Sequence, residues 1–137
     1  MEGHVNVTLL SRSRYEGGED ILAFAGNGIL KQTKTGWHLR YTASAQDGSH
    51  MASDLRLADG VGILRNITGD YTLTLDPRKT TEARIPTPMA TLTMAVNTRH
   101  LEWHLEEAPG RIIMDYTLMA VGQTLSDLHL TIYLTHK

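Results

Sequence analysis

The sequence has no cysteine, no long apolar run and no excess of charge of one sign. Without cysteine the chain can form no disulfide, no thiolate nucleophile and no cysteine-ligated zinc site. No segment approaches the roughly 18 consecutive apolar residues of a membrane-spanning helix, and the first residues lack the charged-then-apolar order of a secretion signal. We therefore expect a cytoplasmic protein with no membrane partner.

The charge balance also argues against nucleic acid as a partner. A net charge of -2 and a pI near 6.4 give no broad attraction to phosphate backbones. Hydrophobic residues make up 41% of the 137 residues and charged residues 20%, which is typical of a folded globular chain. This length fits one domain, residues 1–137, around one core.

Turn signals are spaced regularly along the chain and separate threonine-rich, β-branched segments of strand length. They lie at Gly17-Gly18, Thr35-Gly36, Asp47-Gly48, Asp59-Gly60, Asp76-Pro77, Pro109-Gly110 and Gly122-Gln123. We predict about ten strands, at 4–15, 20–33, 37–45, 51–58, 61–68, 70–75, 89–97, 99–106, 111–121 and 125–136. This pattern indicates an all-β fold, a single antiparallel barrel of about eight to ten strands whose last three form a meander.

The stretch RHLEWHLEE at 99–107 resembles part of a helical zinc motif, since its two histidines are four residues apart. Its apolar residues, however, alternate with its polar ones, which predicts a strand and a hairpin closing at Pro109-Gly110. In a strand His100 and His104 would stand about 13 Å apart, too far to share one metal ion. We therefore predict neither a metal nor a cofactor.

The glycines of Gly26-Asn27-Gly28 lie inside a strand-like run, with no helical pattern after them. They do not form a nucleotide-binding loop, and we expect them to mark a bulge or a sharp bend of the barrel. No nucleophile elbow of the G-x-S-x-G type occurs, so no catalytic residue is predicted and the protein is expected not to be an enzyme.

Three polar side chains share the parity of apolar neighbours and are predicted to point inward: Tyr41, Arg65 and Tyr116. A buried arginine needs a counter-charge, which a protein carboxylate, a water-filled cavity or an anionic ligand would supply. A structural ion pair, or a strand end from which Arg65 reaches water, is the alternative. The apolar wall of the ligand site would be formed by Phe24, Trp37, Trp103 and Met114.

The sequence resembles the YwiB-like family of small bacterial β-barrel proteins of unknown function. The matching landmarks are the Phe24…Gly28 strand, LRY at 39–41, ILR at 63–65, TPMATLTMAVNT at 87–98, GRIIMDYTL at 110–118 and LHLTI at 128–132. The resemblance implies a calycin-like (lipocalin-like) barrel and an analogy to ligand binding, with no catalytic residues to carry over.

The chain departs from the family pattern at three places. Arg65-Asn66-Ile67 stands where relatives tend to have Arg-x-Gly, and Ala90 replaces a frequent glycine. Ala43 stands where an acidic residue often follows the tyrosine, which removes one candidate partner for Arg65.

The leading functional hypothesis is a non-catalytic binder of a small apolar or amphipathic anion inside the barrel. The alternative is a protein–protein interaction or structural module, such as a homodimer, with a filled barrel. A remote third hypothesis is a small hydrolase or isomerase that uses His129 and Asp115, whose parity places them on the polar face.

Overall fold

The computed structural model describes residues 1–120 and 123–137, and within those ranges the chain forms ten strands and no helix. The predicted strand end at 121 and the Gly122 half of the predicted turn lie outside the described residues. The strands are β1 (Gly3–Tyr15), β2 (Gly18–Gln32), β3 (Gly36–Ala45), β4 (His50–Ala58), β5 (Val61–Asn66), β6 (Tyr71–Leu75), β7 (Thr81–Pro86), β8 (Thr91–His104), β9 (Gly110–Ala120) and β10 (Gln123–His136).

All ten strands belong to one antiparallel sheet, in the order β6-β5-β4-β3-β2-β1-β10-β9-β8-β7. Strands that follow one another in sequence are therefore neighbours in the sheet, except that β1 pairs with β10 and the ladder is interrupted between β6 and β7. The Thr81 hydroxyl donates a hydrogen bond to the Thr74 carbonyl across that seam. The predicted all-β antiparallel barrel is confirmed as a nearly closed barrel, and its last three strands form the expected meander.

Two predicted strands, 89–97 and 99–106, are one continuous strand, β8. Its register against β9 shifts between Thr98 and His100, so Arg99 forms a bulge at the point where the sequence pattern changes parity. Strand β7 was not predicted. It is an edge strand that ends at Pro86, a position where the missing backbone N–H donor of proline is tolerated.

Period-two alternation places the core. On β3 the buried positions are Trp37, Leu39, Tyr41 and Ala43, and the residues between them face outward. The inward side chains of the strands form one packed cluster that fills the barrel. Its fully buried members include Leu9, Leu30, Leu39, Leu55, Leu57, Leu73, Leu75, Leu105, Ile112, Met114, Ile132 and Leu134.

The glycines in β2 do not mark a bulge, because the register runs without a shift through Gly26 and Gly28. They instead permit a close approach of the β3 backbone. A Cβ atom on Gly26 would stand 1.9 Å from the Thr42 carbonyl oxygen, a distance that no side chain can accommodate.

Candidate functional site

Arg65 faces outward, so its predicted inward orientation is wrong. On β5 the buried positions are Gly62 and Leu64, whereas Ile63 and Arg65 are exposed. The Asp59-Gly60 turn explains this, because a two-residue turn pairs Ala58 with Val61 and fixes the register behind it. The same register sets Arg65 directly opposite Asp54 of β4.

Asp54 is surrounded by basic side chains on the outer face of β3–β5, and we call this group the arginine cluster. It consists of Asp54, His38, Arg40, Arg56 and Arg65. His38 Nε2 lies 2.8 Å from Asp54 Oδ1, and Arg40 Nη2 lies 3.3 Å from Asp54 Oδ2. Arg56 Nε is 3.9 Å from Oδ1. No carboxylate of the described residues forms an ion pair with Arg65.

The charges of the arginine cluster do not balance. Three guanidiniums face one carboxylate, so the cluster carries a net charge of +2 within a chain whose net charge is -2. The Asp54 side chain is only 11% exposed, whereas those of Arg40 and Arg56 are 68% and 62% exposed. The carboxylate is therefore enclosed by its partners, while the guanidiniums still reach solvent.

The environment of Asp54 favours its ionised form. Burial acts to raise the pKa of the Asp54 carboxyl, but the hydrogen bond from His38 and the positive charges around it outweigh burial. The pKa of Asp54 is consequently lowered. Asp54 holds the guanidiniums in place without neutralising them.

A cleft of about 480 Å³ opens over the arginine cluster. Arg40, Asp54, Arg56 and Arg65 line it, together with Ile63, Ile67 and Thr72. Ile63 and Ile67 are 43% and 42% exposed, so an aliphatic surface adjoins the guanidiniums. This combination suits a ligand with an anionic group and an apolar part.

Four of the predicted ligand residues lie in the packed core, away from Arg65. Phe24, Tyr41, Met114 and Tyr116 are all 5% exposed or less. Burial raises the pKa of Tyr41 to about 12 and raises the pKa of Tyr116 further, so both phenols stay neutral. These residues contact other core side chains and do not converge with Arg65 on one ligand.

The two remaining predicted residues, Trp37 and Trp103, come together at one end of the barrel. They line a cleft of about 540 Å³, which we call the tryptophan cleft. Trp37 is 7% exposed and Trp103 is partly buried. The other lining residues are His104, Leu105, Glu106, Glu107, Ala108 and Pro109.

The histidines of the 99–107 stretch lie on strand β8, so the helix that a zinc motif requires is not formed. Both imidazoles point to the carboxylate between them. His100 Nε2 lies 2.6 Å from Glu102 Oε1, and His104 Nε2 lies 2.7 Å from Glu102 Oε2. These hydrogen bonds lower the pKa of Glu102.

His129 and Asp115, the candidates of the hydrolase hypothesis, are in contact on the outer face of β9 and β10. His129 Nδ1 is hydrogen-bonded to Asp115 Oδ1, and the Thr131 hydroxyl lies 3.4 Å from His129 Nε2. Thr131 is only 8% exposed, which leaves its hydroxyl little access to a substrate. Arg99, placed by the bulge in β8, pairs with Asp127 beside them at 2.9 Å.

The protein is therefore an all-β barrel protein, with ten antiparallel strands in a nearly closed barrel. Apolar side chains fill the barrel, and a basic cluster lies on its outer face. Residues 7–132 match the family described as "Domain of unknown function (DUF1934)", and the chain belongs to this family. The resemblance proposed from the sequence is confirmed.

The crystal structure of the ywiB protein from Bacillus subtilis is similar to this chain, with a TM-score of 0.81 and 17% sequence identity. The match covers 99% of this chain and 93% of that chain, and it shows that the two share a fold. No curated protein matches the sequence. In the described ranges no helix is long and apolar enough to cross a bilayer.

Proposed function

We propose that this protein is a non-catalytic binding protein that takes a small amphipathic anion on its outer face, at the arginine cluster. This keeps the anionic ligand expected from the sequence and moves its site out of the barrel. The observation that supports the proposal is the excess of guanidinium over carboxylate around Asp54.

Guanidinium groups bind phosphate and carboxylate through paired, charge-assisted hydrogen bonds. Arg40 and Arg56 already share the oxygens of Asp54, and each retains N–H donors that a single carboxylate cannot satisfy. Arg65 lies on β5, directly opposite Asp54 of β4. No carboxylate of the described residues pairs with its N–H donors. An incoming anion would therefore be bound mainly by Arg65, with Arg40 and Arg56 contributing their remaining donors.

The apolar part of the ligand would lie along Ile63 and Ile67. Ile63 lies two residues before Arg65 on the outer face of β5, Ile67 lies in the turn that follows this strand, and both line the cleft. Covering exposed aliphatic surface contributes about 25 cal/mol per Å² of area removed from water, which favours an alkyl-bearing anion over a bare one.

Isothermal titration calorimetry with four probes tests this proposal: inorganic phosphate, hexyl phosphate, hexanoate and hexanol. We expect hexyl phosphate and hexanoate to bind, inorganic phosphate to bind more weakly, and hexanol not to bind. The phosphate and carboxylate probes separate the two chemical sources of the anion.

The Arg65→Gln variant should weaken hexyl phosphate binding about tenfold, the usual effect of losing one charge-assisted contact. Arg111→Gln is the matched control, because Arg111 is exposed on β9, which pairs with β8 and β10 and with none of the strands of the cluster. Equal losses in both variants would show only nonspecific attraction, and failure of the unmodified protein to bind either alkyl anion would overturn the proposal.

A further inference from the structure

The tryptophan cleft is built where β3 begins and β8 ends. Trp37 pairs with Leu57 of β4, and Trp103 pairs with Ile112 of β9, so both tryptophans lie on paired strands of the barrel. Leu105, 1% exposed, lies between them as an apolar floor. Both tryptophans of the chain therefore line the same cleft, although 65 residues separate them in the sequence.

The polar groups at this cleft have the opposite charge to those of the arginine cluster. Glu106 and Glu107 are both exposed, and neither forms an ion pair with a cation of the described residues. No lysine or arginine lines the cleft. Two free carboxylates beside two indole rings attract a cation, because the face of an indole is the strongest aromatic site for one.

The loop over the cleft already holds one ammonium group. The amino group of Met1 donates hydrogen bonds to the carbonyl oxygens of Leu105, at 3.0 Å, and Glu106, at 2.6 Å. These two carbonyls are occupied by that ammonium, and its single positive charge offsets one of the two glutamates, so Met1, Glu106 and Glu107 together carry a net charge of -1.

We propose that the tryptophan cleft is a second binding site, which takes a small alkylammonium cation. The indoles contact its alkyl groups and charge, and Glu106 and Glu107 supply the counter-charge. This site is independent of the arginine cluster, which binds the opposite charge on a different part of the barrel.

Tryptophan fluorescence reports on this site directly, because both fluorophores line it. Choline is the probe, and 3,3-dimethyl-1-butanol, its uncharged isostere, is the reference. We expect choline to change the fluorescence with an affinity at least about fivefold greater than that of the alcohol. Equal affinities for choline and the alcohol would show that the cleft binds apolar groups without regard to charge. An absence of any response to choline would show that the cleft does not bind the cation. Either result overturns the proposal.

Variants then test whether Glu106 and Glu107 supply the counter-charge. The Glu106→Gln/Glu107→Gln double variant should weaken choline binding about threefold or more, while Glu16→Gln/Glu82→Gln removes two exposed carboxylates elsewhere and should leave it unchanged. Equal weakening in both would indicate only a long-range field and would overturn the assignment. Arg65→Gln should not affect choline binding, so failure of one site is distinguishable from failure of the other.

Discussion

The barrel interior and the arginine cluster lie on opposite sides of the same strands, but the interior is apolar and the cluster is charged. On β4, Leu55 is fully buried in the core, and its neighbour Asp54 faces the guanidiniums outside. The interior is filled by apolar side chains, whereas the outer face has more cationic groups than carboxylates to pair with them. The comparison assigns stability to the core and places the proposed recognition on the surface.

The largest expected effect separates these two roles. Leu55→Ala should lower the free energy of unfolding by about 2–5 kcal/mol, because it leaves a cavity in a packed core. Urea denaturation followed by tryptophan fluorescence measures this loss. Under conditions in which the variant remains folded, hexyl phosphate binding should be unchanged, and a large loss of binding would contradict the separation.

Asp54→Asn should lower the free energy of unfolding by about 1–3 kcal/mol, since it leaves the guanidiniums without their shared acceptor. The same change should tighten anion binding, because the internal carboxylate no longer competes for the donors. Denaturation with and without hexyl phosphate tests both effects, and the ligand should restore more stability to the variant than to the unmodified protein. Weaker anion binding in the variant would show that Asp54 acts mainly by positioning the guanidiniums.

Acidification should reproduce part of the Asp54→Asn effect. A carboxyl whose pKa is lowered on folding stabilises the folded state above its unfolded pKa of about 4 and loses this contribution as pH falls through the folded pKa. Stability should therefore decrease with falling pH below about 4, and the decrease should be smaller in Asp54→Asn. Parallel pH profiles for the two proteins would rule out a contribution from this carboxylate.

The smallest expected effect is a gain in stability from the interior. The Thr98 hydroxyl is buried without a hydrogen-bond partner among the described residues. Thr98→Val replaces it with a methyl group of similar shape and should raise the free energy of unfolding by about 1 kcal/mol. A loss of stability in thermal denaturation would indicate that the hydroxyl has a partner, such as a bound water molecule.

Most of the fold could be predicted from the sequence, because alternation and turns are local signals. Alternation predicted that β8 and β9 form a hairpin, but the predicted turn position was wrong. A turn at Pro109-Gly110 would pair Trp103 with Tyr116, whereas the strands are joined by residues 105–109 and Trp103 pairs with Ile112. The bulge at Arg99 was not predictable by parity, because one extra residue makes a single strand look like two. Strand β7 was missed because the charged residues Glu82 and Arg84 and the terminal Pro86 weaken the strand signal of this short edge strand.

The site was harder to predict, and β5 shows why. Val61, Ile63 and Arg65 share a parity, but the inward positions are Gly62 and Leu64, and glycine gives no hydrophobic signal. The Asp59-Gly60 turn predicts the correct orientation, because it pairs the buried Leu57 and Leu55 of β4 with Gly62 and Leu64 of β5. Arg65 then faces outward, opposite Asp54. The meeting of Trp37 and Trp103 depends on how the sheet closes, which no local pattern encodes.

The pairing of β1 with β10 makes the order of strands around the ring circular, and the interruption between β6 and β7 is where that circle opens. A chain permuted to start at β7 and finish at β6, with a linker between the present ends, would join every pair of adjacent strands consecutively. In such a permuted chain, the strand order around both proposed binding sites would be the same as it is now.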